Sequence, residues 1–97
     1  MISVLKNTVK VPLVLHGASG LSDETVKDCI NRGICKVNFA TELRIAYTEA
    51  VKKCLAGNPS IFDPKKFGGP ARDAVREKVM ERIKVCGCDN KAAYIPL

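Results

Sequence analysis

The chain has 97 residues, 46% of them hydrophobic and 27% charged, which is typical of one small folded domain and excludes a disordered segment. The longest uncharged apolar run, residues 11–15, is far shorter than the roughly 18 residues of a membrane span, and the N-terminus lacks a signal-like core. The net charge of +6 is spread among acidic residues, which is typical of a solvated surface. We therefore expect a cytoplasmic protein with no membrane and no nucleic-acid partner.

The cysteines predict a reducing compartment. Five is an odd number, and Cys29, Cys35 and Cys54 lie in predicted helices or a strand, where a free thiol behaves as a small buried hydrophobe.

The first predicted unit is a strand, a loop and a helix. Residues 10–15 are apolar and β-branched without polar alternation, which indicates a strand covered on both faces of a parallel sheet. A glycine-rich loop, residues 16–20, follows. Ser22 is a suitable N-cap for a helix that Gly33 ends.

A second unit of the same kind follows directly. Residues 34–39 predict a strand, Thr41 is the expected N-cap, and the helix runs to about Ala56 before the Gly-Asn-Pro sequence at 57–59 ends it.

The remainder of the chain predicts helices only. Residues 63–64 (Asp-Pro) and 69–70 (Gly-Pro) each resemble a cap with proline at the first helical position. We expect a short turn and then a long amphipathic helix from Ala71 to about Cys86.

Two parallel strands are too few for an independent sheet, because parallel strands occur in larger sheets covered by helices. A (β/α)₈ barrel needs about 250 residues. The prediction is therefore an α/β fold with the last two βα units of a TIM barrel in residues 1–57, followed by a C-terminal helical extension in residues 58–97.

The candidate functional residues follow the two predicted strands, where parallel α/β folds place their sites. His16 at the first strand end is either a structural imidazole or a metal ligand, and a zinc site needs more ligands than this single histidine. The Gly-Ala-Ser-Gly loop at 17–20 and the loop at 38–41 could bind a phosphate between them, or could simply form tight corners.

The cysteines at 86 and 88 could suggest a metal or redox motif. Their spacing lacks one residue of CxxC, and a helix end followed by glycine is the simpler interpretation.

The chain resembles the C-terminal part of class II, zinc-dependent ketose-bisphosphate aldolases in three segments: LVLHGASGLSDE, GICKVNFATELRIAYTEAVK and NPSIFDPKKFGGPARDAVREKVMERIKVCG. The tagatose-bisphosphate branch is favoured over the fructose branch by the Ala-Thr-Glu sequence at 40–42.

The resemblance implies a reaction and a set of site residues. The family cleaves a ketose 1,6-bisphosphate reversibly into dihydroxyacetone phosphate and glyceraldehyde 3-phosphate, with Zn²⁺ polarising the ketone. His16 matches one of three zinc-ligating histidines. The implied substrate-binding residues are Gly17, Ala18, Ser19, Asn38, Phe39, Ala40, Thr41 and Lys65.

The chain departs from the family pattern in three ways. The other two zinc histidines and the catalytic aspartate belong to a part of the family sequence that this chain lacks, so no catalytic residue is expected here. Phe39 replaces a common valine, and Lys65 replaces an arginine, which removes the bidentate fork for the distal phosphate. We expect an inactive part of an aldolase that forms a homo-oligomer; the alternative is a non-catalytic sugar-phosphate-binding module.

Overall fold

The computed structural model describes residues 1–94. The elements in chain order are α1 (Ile2–Thr8), β1 (Leu13–Leu15), a 3-10 turn (Ala18–Gly20), α2 (Asp23–Asn31), β2 (Ile34–Val37), α3 (Thr41–Gly57), α4 (Pro64–Val85) and a second 3-10 turn (Ala92–Tyr94). Within residues 1–94, none of the helices combines the length and the hydropathy of a membrane-spanning segment.

The chain forms two compact units. The first, which we call the strand unit, comprises Met1–Phe39 and the described residues that follow Glu81; the second, the helical unit, comprises Ala40–Glu81. The core of the strand unit contains Val26 and Cys29 of α2. The buried residue of the helical unit is Ala71.

β1 and β2 form a parallel sheet, as the order of strands and helices predicts. Leu13 pairs with Ile34 and Leu15 with Val37, with an irregularity in register after Leu13. Both strands are shorter than the predicted ranges 10–15 and 34–39. The first strand starts late because Pro12 has no N–H to donate to a ladder.

α2 follows its sequence signals closely. The Ser22 hydroxyl accepts a hydrogen bond from the backbone N–H of Thr25 at 3.2 Å, which confirms the predicted cap. The helix ends at Asn31, and Gly33 follows with a φ of +115°. A Cβ at Gly33 would lie 2.9 Å from Cδ of the flexible Lys6 side chain, which can move aside, so it is the positive φ that requires glycine here.

Two predicted helix starts are wrong. α3 begins at Thr41 with Ala40 as its N-cap and without a side-chain cap, so Thr41 does not cap. α4 begins at Pro64, and the Asp63 carboxylate accepts a hydrogen bond from the N–H of Lys65 at 3.0 Å, as predicted. However, no second cap forms at Pro70, because α4 continues through it as a single helix.

Helix α1 is not apparent in the sequence pattern. Its N-cap, Met1, makes no side-chain hydrogen bond, and none of its residues is buried, so neither a cap nor a periodic apolar face marks it. A tertiary hydrogen bond connects it to the end of α2, where the Arg32 guanidinium donates to the Ser3 hydroxyl at 3.2 Å.

The cysteine expectation holds only in part. Cys29 is buried and Cys54 is half-buried, but Cys35 is exposed, because it lies on a strand that is covered incompletely. All five are free thiols.

Candidate functional site

The parallel pairing brings His16 and Asn38 together at the carboxyl ends of β1 and β2. The N–H of Asn38 donates to the Leu15 carbonyl at 3.0 Å, which aligns the two strand ends. The Asn38 side-chain Nδ2 then lies 3.0 Å from Nδ1 of His16. Residues 22 positions apart in sequence thus form one polar pair.

The His16–Asn38 contact has two chemically consistent arrangements. When the Asn38 amide donates to Nδ1, the imidazole proton is on Nε2. When the amide is rotated by half a turn, its carbonyl oxygen accepts the Nδ1 proton and the Nε2 lone pair is available to a metal ion. The side chain of Asn38 can therefore set the tautomer of His16.

The first loop, residues 17–19, has a conformation that requires glycine at its start. Gly17 is left-handed, with φ +68° and ψ +34°, and begins the 3-10 turn. Ala18 is buried, and its N–H donates to the Asn38 carbonyl at 3.4 Å. Ser19 is half-buried. The hydrogen bond from Ala18 to Asn38 connects the first loop to the residue after β2, and it satisfies the buried N–H of Ala18.

A buried arginine that the sequence analysis missed, Arg82, connects the start of α2 to Phe39. The Arg82 Nη1 lies 2.9 Å from the Asp23 carboxylate at the first position of α2, and the guanidinium carbon lies 5.8 Å from the centre of the Phe39 ring. The Arg82 side chain is 8% exposed. Its charge balances an acidic side chain beside the candidate phosphate loops.

A sequence signal for Arg82 exists but is weak. The residue interrupts the apolar spacing of α4 between Val79 and Ile83, at a position where a charged side chain is ordinarily solvated.

The boundary between the two units falls within residues 38–41, the predicted second loop, so its residues are described unit by unit. Asn38 and Phe39, both half-buried, belong to the strand unit. Ala40 and Thr41 belong to the helical unit, where the Ala40 carbonyl accepts hydrogen bonds from the N–H groups of Leu43 and Arg44, each at 3.1 Å. The exposed Thr41 is the first residue of α3.

Lys65 lies in the helical unit, where it lines a groove of about 260 Å³. Tyr47, Gly68, Gly69 and Arg72 line the same groove. Arg72 was not among the predicted site residues. Its spacing of seven from Lys65, two helical turns, places both cations on one side of α4 and could have indicated it.

The described residues do not by themselves fit a zinc ion. Within residues 1–94, no group of three His, Cys, Asp or Glu side chains could hold a metal. His16 offers one imidazole, whereas a catalytic zinc site uses three protein ligands.

The segment of Cys86, Gly87 and Cys88 ends α4, as predicted. Gly87 has a φ of +71°, and the N–H of Cys88 donates to the Ile83 carbonyl at 3.1 Å, which is the hydrogen bond of a Schellman motif. Burial and the neighbouring thiol of Cys88 raise the pKa of Cys86, although Arg82 lowers it.

Comparison with known proteins gives concordant results. The family model for class-II fructose-bisphosphate aldolase matches residues 1–91. The chain is 44% identical over 87 residues to the D-tagatose-1,6-bisphosphate aldolase subunit GatY of Klebsiella oxytoca, a match that covers 90% of this chain and 31% of that protein.

Two crystal structures share the fold. The YdjI aldolase from Escherichia coli K12 is 41% identical, with a TM-score of 0.83 over 94% of this chain and 33% of that one. The fructose-bisphosphate aldolase of Campylobacter jejuni is 18% identical, with a TM-score of 0.77 over 89% of this chain and 31% of that one, and it supports the fold alone. This chain spans about a third of the length of these relatives.

Proposed function

The chain belongs to the class-II fructose-bisphosphate aldolase family, and we propose that it forms the part of such an enzyme that binds the substrate phosphate. The complete reaction is the reversible aldol cleavage of a ketose 1,6-bisphosphate to dihydroxyacetone phosphate and glyceraldehyde 3-phosphate. We propose that the chain alone is inactive, because the family resemblance places the catalytic aspartate and two zinc ligands outside it.

The proposed architecture is a portion of a (β/α)₈ barrel. β1 with α2 and β2 with α3 are the two proposed βα units, in residues 1–57. The proposed helical extension is residues 58–97, of which 95–97 lie outside the described residues. The parallel pairing of β1 with β2 and the TM-score of 0.83 to an aldolase support this assignment.

The 3.0 Å contact between His16 and Asn38 is the observation that carries the proposal. Barrel enzymes place their chemistry at the carboxyl ends of the strands, and these two side chains meet there. The proposed phosphate-binding residues extend from this pair along both loops: Gly17, Ala18, Ser19, Asn38, Phe39, Ala40 and Thr41.

The two loops contribute to binding in different ways. The left-handed Gly17 turns the backbone at the end of β1 and gives the first loop its shape. Because the Ala18 N–H already donates to the Asn38 carbonyl, the proposed role of Ala18 is to hold this loop in place beside the phosphate. Thr41 presents its N–H and hydroxyl at the first turn of α3, where the helix dipole favours an anion. The Asn38 amide is the group proposed to contact the substrate near its reacting carbons.

His16 is the proposed zinc ligand of this chain, with the other ligands supplied by the remainder of an aldolase. When bound, the metal would polarise the ketone of the substrate. Asn38 would hold the imidazole for this role in the arrangement in which its carbonyl oxygen accepts the Nδ1 proton, because the Nε2 lone pair is then available to the metal.

Lys65 is proposed to bind the distal phosphate as a point charge. Because Arg72 lines the same groove, it supplies the planar guanidinium that Lys65 lacks.

We further propose a tagatose-type substrate, a homo-oligomeric assembly and a cytoplasmic location. The relative that is 44% identical is a tagatose-bisphosphate aldolase subunit, and the free cysteines favour a reducing compartment.

The alternative function is a sugar-phosphate-binding module without catalysis. The observation that favours it is the presence of both loops alongside one imidazole in the described residues. The two functions can be distinguished by mixing this chain with the rest of an aldolase and Zn²⁺. Turnover is expected if the chain is part of an aldolase, and none if it is a binding module.

The binding test is a titration with dihydroxyacetone phosphate, followed through the backbone amides of the two loops. We expect saturable shifts at Gly17, Ser19 and Phe39. Asn38→Asp should weaken binding about tenfold or more, since a carboxylate repels the phosphate. Asn31→Asp, which makes the same change at an exposed position on α2, is the matched control.

Two outcomes would contradict these proposals. The absence of any loop shift at millimolar ligand would refute phosphate binding. Measurable cleavage of tagatose or fructose 1,6-bisphosphate by this chain alone, with Zn²⁺ added, would refute the proposed inactivity.

A further inference from the structure

The sheet of the strand unit has an open side. Val14 alternates with Leu13 and Leu15 along β1, and it is 41% exposed whereas those two neighbours are half-buried. Its register partner on β2, Lys36, is also exposed. Because paired residues of neighbouring strands lie on the same side of a sheet, this side is uncovered around Val14 and Lys36.

Both edges of the sheet are open as well. Within residues 1–94 the sheet contains two strands, so β1 and β2 each pair along one side only. Val11, which leads into β1, is 62% exposed. Parallel sheets are ordinarily covered on both faces, and unpaired strand edges readily accept another strand.

The comparisons indicate what covers this surface. The chain superimposes with a TM-score of 0.83 on one third of the YdjI aldolase, so the strand pair has the shape that it has inside a longer aldolase chain. The rest of a (β/α)₈ barrel consists of further strands and helices, which would lie against this sheet.

A second copy of this chain fits the surface poorly. Two copies would supply four strands, whereas a closed aldolase barrel needs eight. A symmetric pairing of the open sides would also bring Lys36 of both copies onto one apolar surface, where like charges repel.

We propose that the open side and edges of this sheet bind the remainder of a class-II aldolase barrel even when it is a separate polypeptide. Strands would add to β1 and β2, and apolar side chains would cover Val14. The proposal rests on the proposed barrel architecture and is independent of the roles assigned to His16 and the loops.

The test is co-expression of the full 97-residue chain with the part of the Klebsiella oxytoca GatY protein that lies outside the match, each carrying a different tag. We expect the aldolase part to become soluble and to co-purify with this chain at equal stoichiometry. Amide exchange in β1 and β2 should slow about tenfold or more in the complex, because edge amides become paired.

Matched variants localise the surface. Val14→Asp places a charge on the open side and should weaken the complex about tenfold or more, because an unpaired charge is costly to bury. Val4→Asp makes the same change on α1, where the valine is 66% exposed, and should leave affinity unchanged. If circular dichroism shows that Val14→Asp is unfolded, amide exchange of the unmodified chain, measured with and without the aldolase part, tests whether β1 and β2 are covered.

Three results would overturn the proposal: failure of the aldolase part to become soluble or to co-purify, equal effects of Val14→Asp and Val4→Asp, or a self-association of this chain that protects Val14. The proposed function is tested separately. A complex that shows no turnover on added Zn²⁺ would support docking and refute the catalytic role. Loop shifts with dihydroxyacetone phosphate in the absence of any complex would support phosphate binding and refute docking.

Discussion

Replacing Arg82 by methionine tests whether the buried guanidinium holds the strand unit together. Methionine keeps an unbranched apolar chain of similar length, so the change removes the charge while retaining much of the packing. The lost interactions are the 2.9 Å ion pair with Asp23 and the cation–π contact with Phe39.

The expected loss of stability follows from how deeply each partner is buried. Breaking a fully buried ion pair costs about 3–5 kcal/mol. The Asp23 side chain is 45% exposed, so it remains partly hydrated, and the start of α2 stabilises a carboxylate by about 0.3–1 kcal/mol. These terms reduce the expected loss to about 2 kcal/mol, of which the cation–π contact contributes about 0.5–1 kcal/mol.

The measurement is urea unfolding followed by far-UV circular dichroism, with Arg76→Met as the matched control. The Arg76 side chain is 67% exposed, and its nearest acidic partner lies at 3.8 Å, so its loss should change the free energy of unfolding by less than about 0.5 kcal/mol. Asp23→Asn, alone and combined with Arg82→Met, completes a double-mutant cycle that isolates the pair. Equal effects of Arg82→Met and Arg76→Met would refute the reasoning.

Three further predictions concern local structure. Gly17→Ala should lower the free energy of unfolding by about 1 kcal/mol because φ is +68°, whereas Gly20→Ala, which has the same open surroundings without a positive φ, should have less effect; equal urea midpoints would contradict this. Ser22→Ala should cost about 1 kcal/mol through loss of the cap, and Thr41→Ala less than about 0.5 kcal/mol because Thr41 does not cap; a larger loss for Thr41→Ala would reverse that assignment. Because burial and a neighbouring thiol raise the pKa of Cys86, it should react with iodoacetamide at pH 8 more slowly than the exposed Cys88, as peptide mass spectrometry can measure. Because the folded chain favours the neutral thiol, the free energy of unfolding should fall as the pH rises from the ordinary thiol pKa of about 8.5 through the raised pKa of Cys86. A Cys86→Ser variant should lose this pH dependence.

The local features of this chain are evident in its sequence because they depend on neighbours a few residues apart. The cap at Ser22, the start of α4 at Asp63 and Pro64, and the helix end at Gly87 each involve contacts across five residues or fewer. The family resemblance was also established by sequence, since its motifs are contiguous segments.

Tertiary packing decided the features that sequence rules predicted wrongly. An interior proline costs a helix about 3 kcal/mol, which is why residue 70 was expected to begin a new helix. Ala71, directly after it, is completely buried, so packing favours a continuous α4. Helix α1, which has no cap and no buried side chain, is likewise held by tertiary contacts such as that of Arg32 with Ser3.

The same distinction between local sequence and tertiary packing applies to the candidate site. The sequence by itself determined that His16 follows one strand and that Asn38 lies near the end of the next, within the predicted range 34–39, because strand propensity and the order of elements are local properties. Only the tertiary structure decided that the two side chains lie 3.0 Å apart and that Arg82 reaches Asp23 and Phe39. These contacts join residues 22 or more positions apart, and their geometry depends on the register of the sheet and on side-chain packing within the strand unit, which no local pattern specifies.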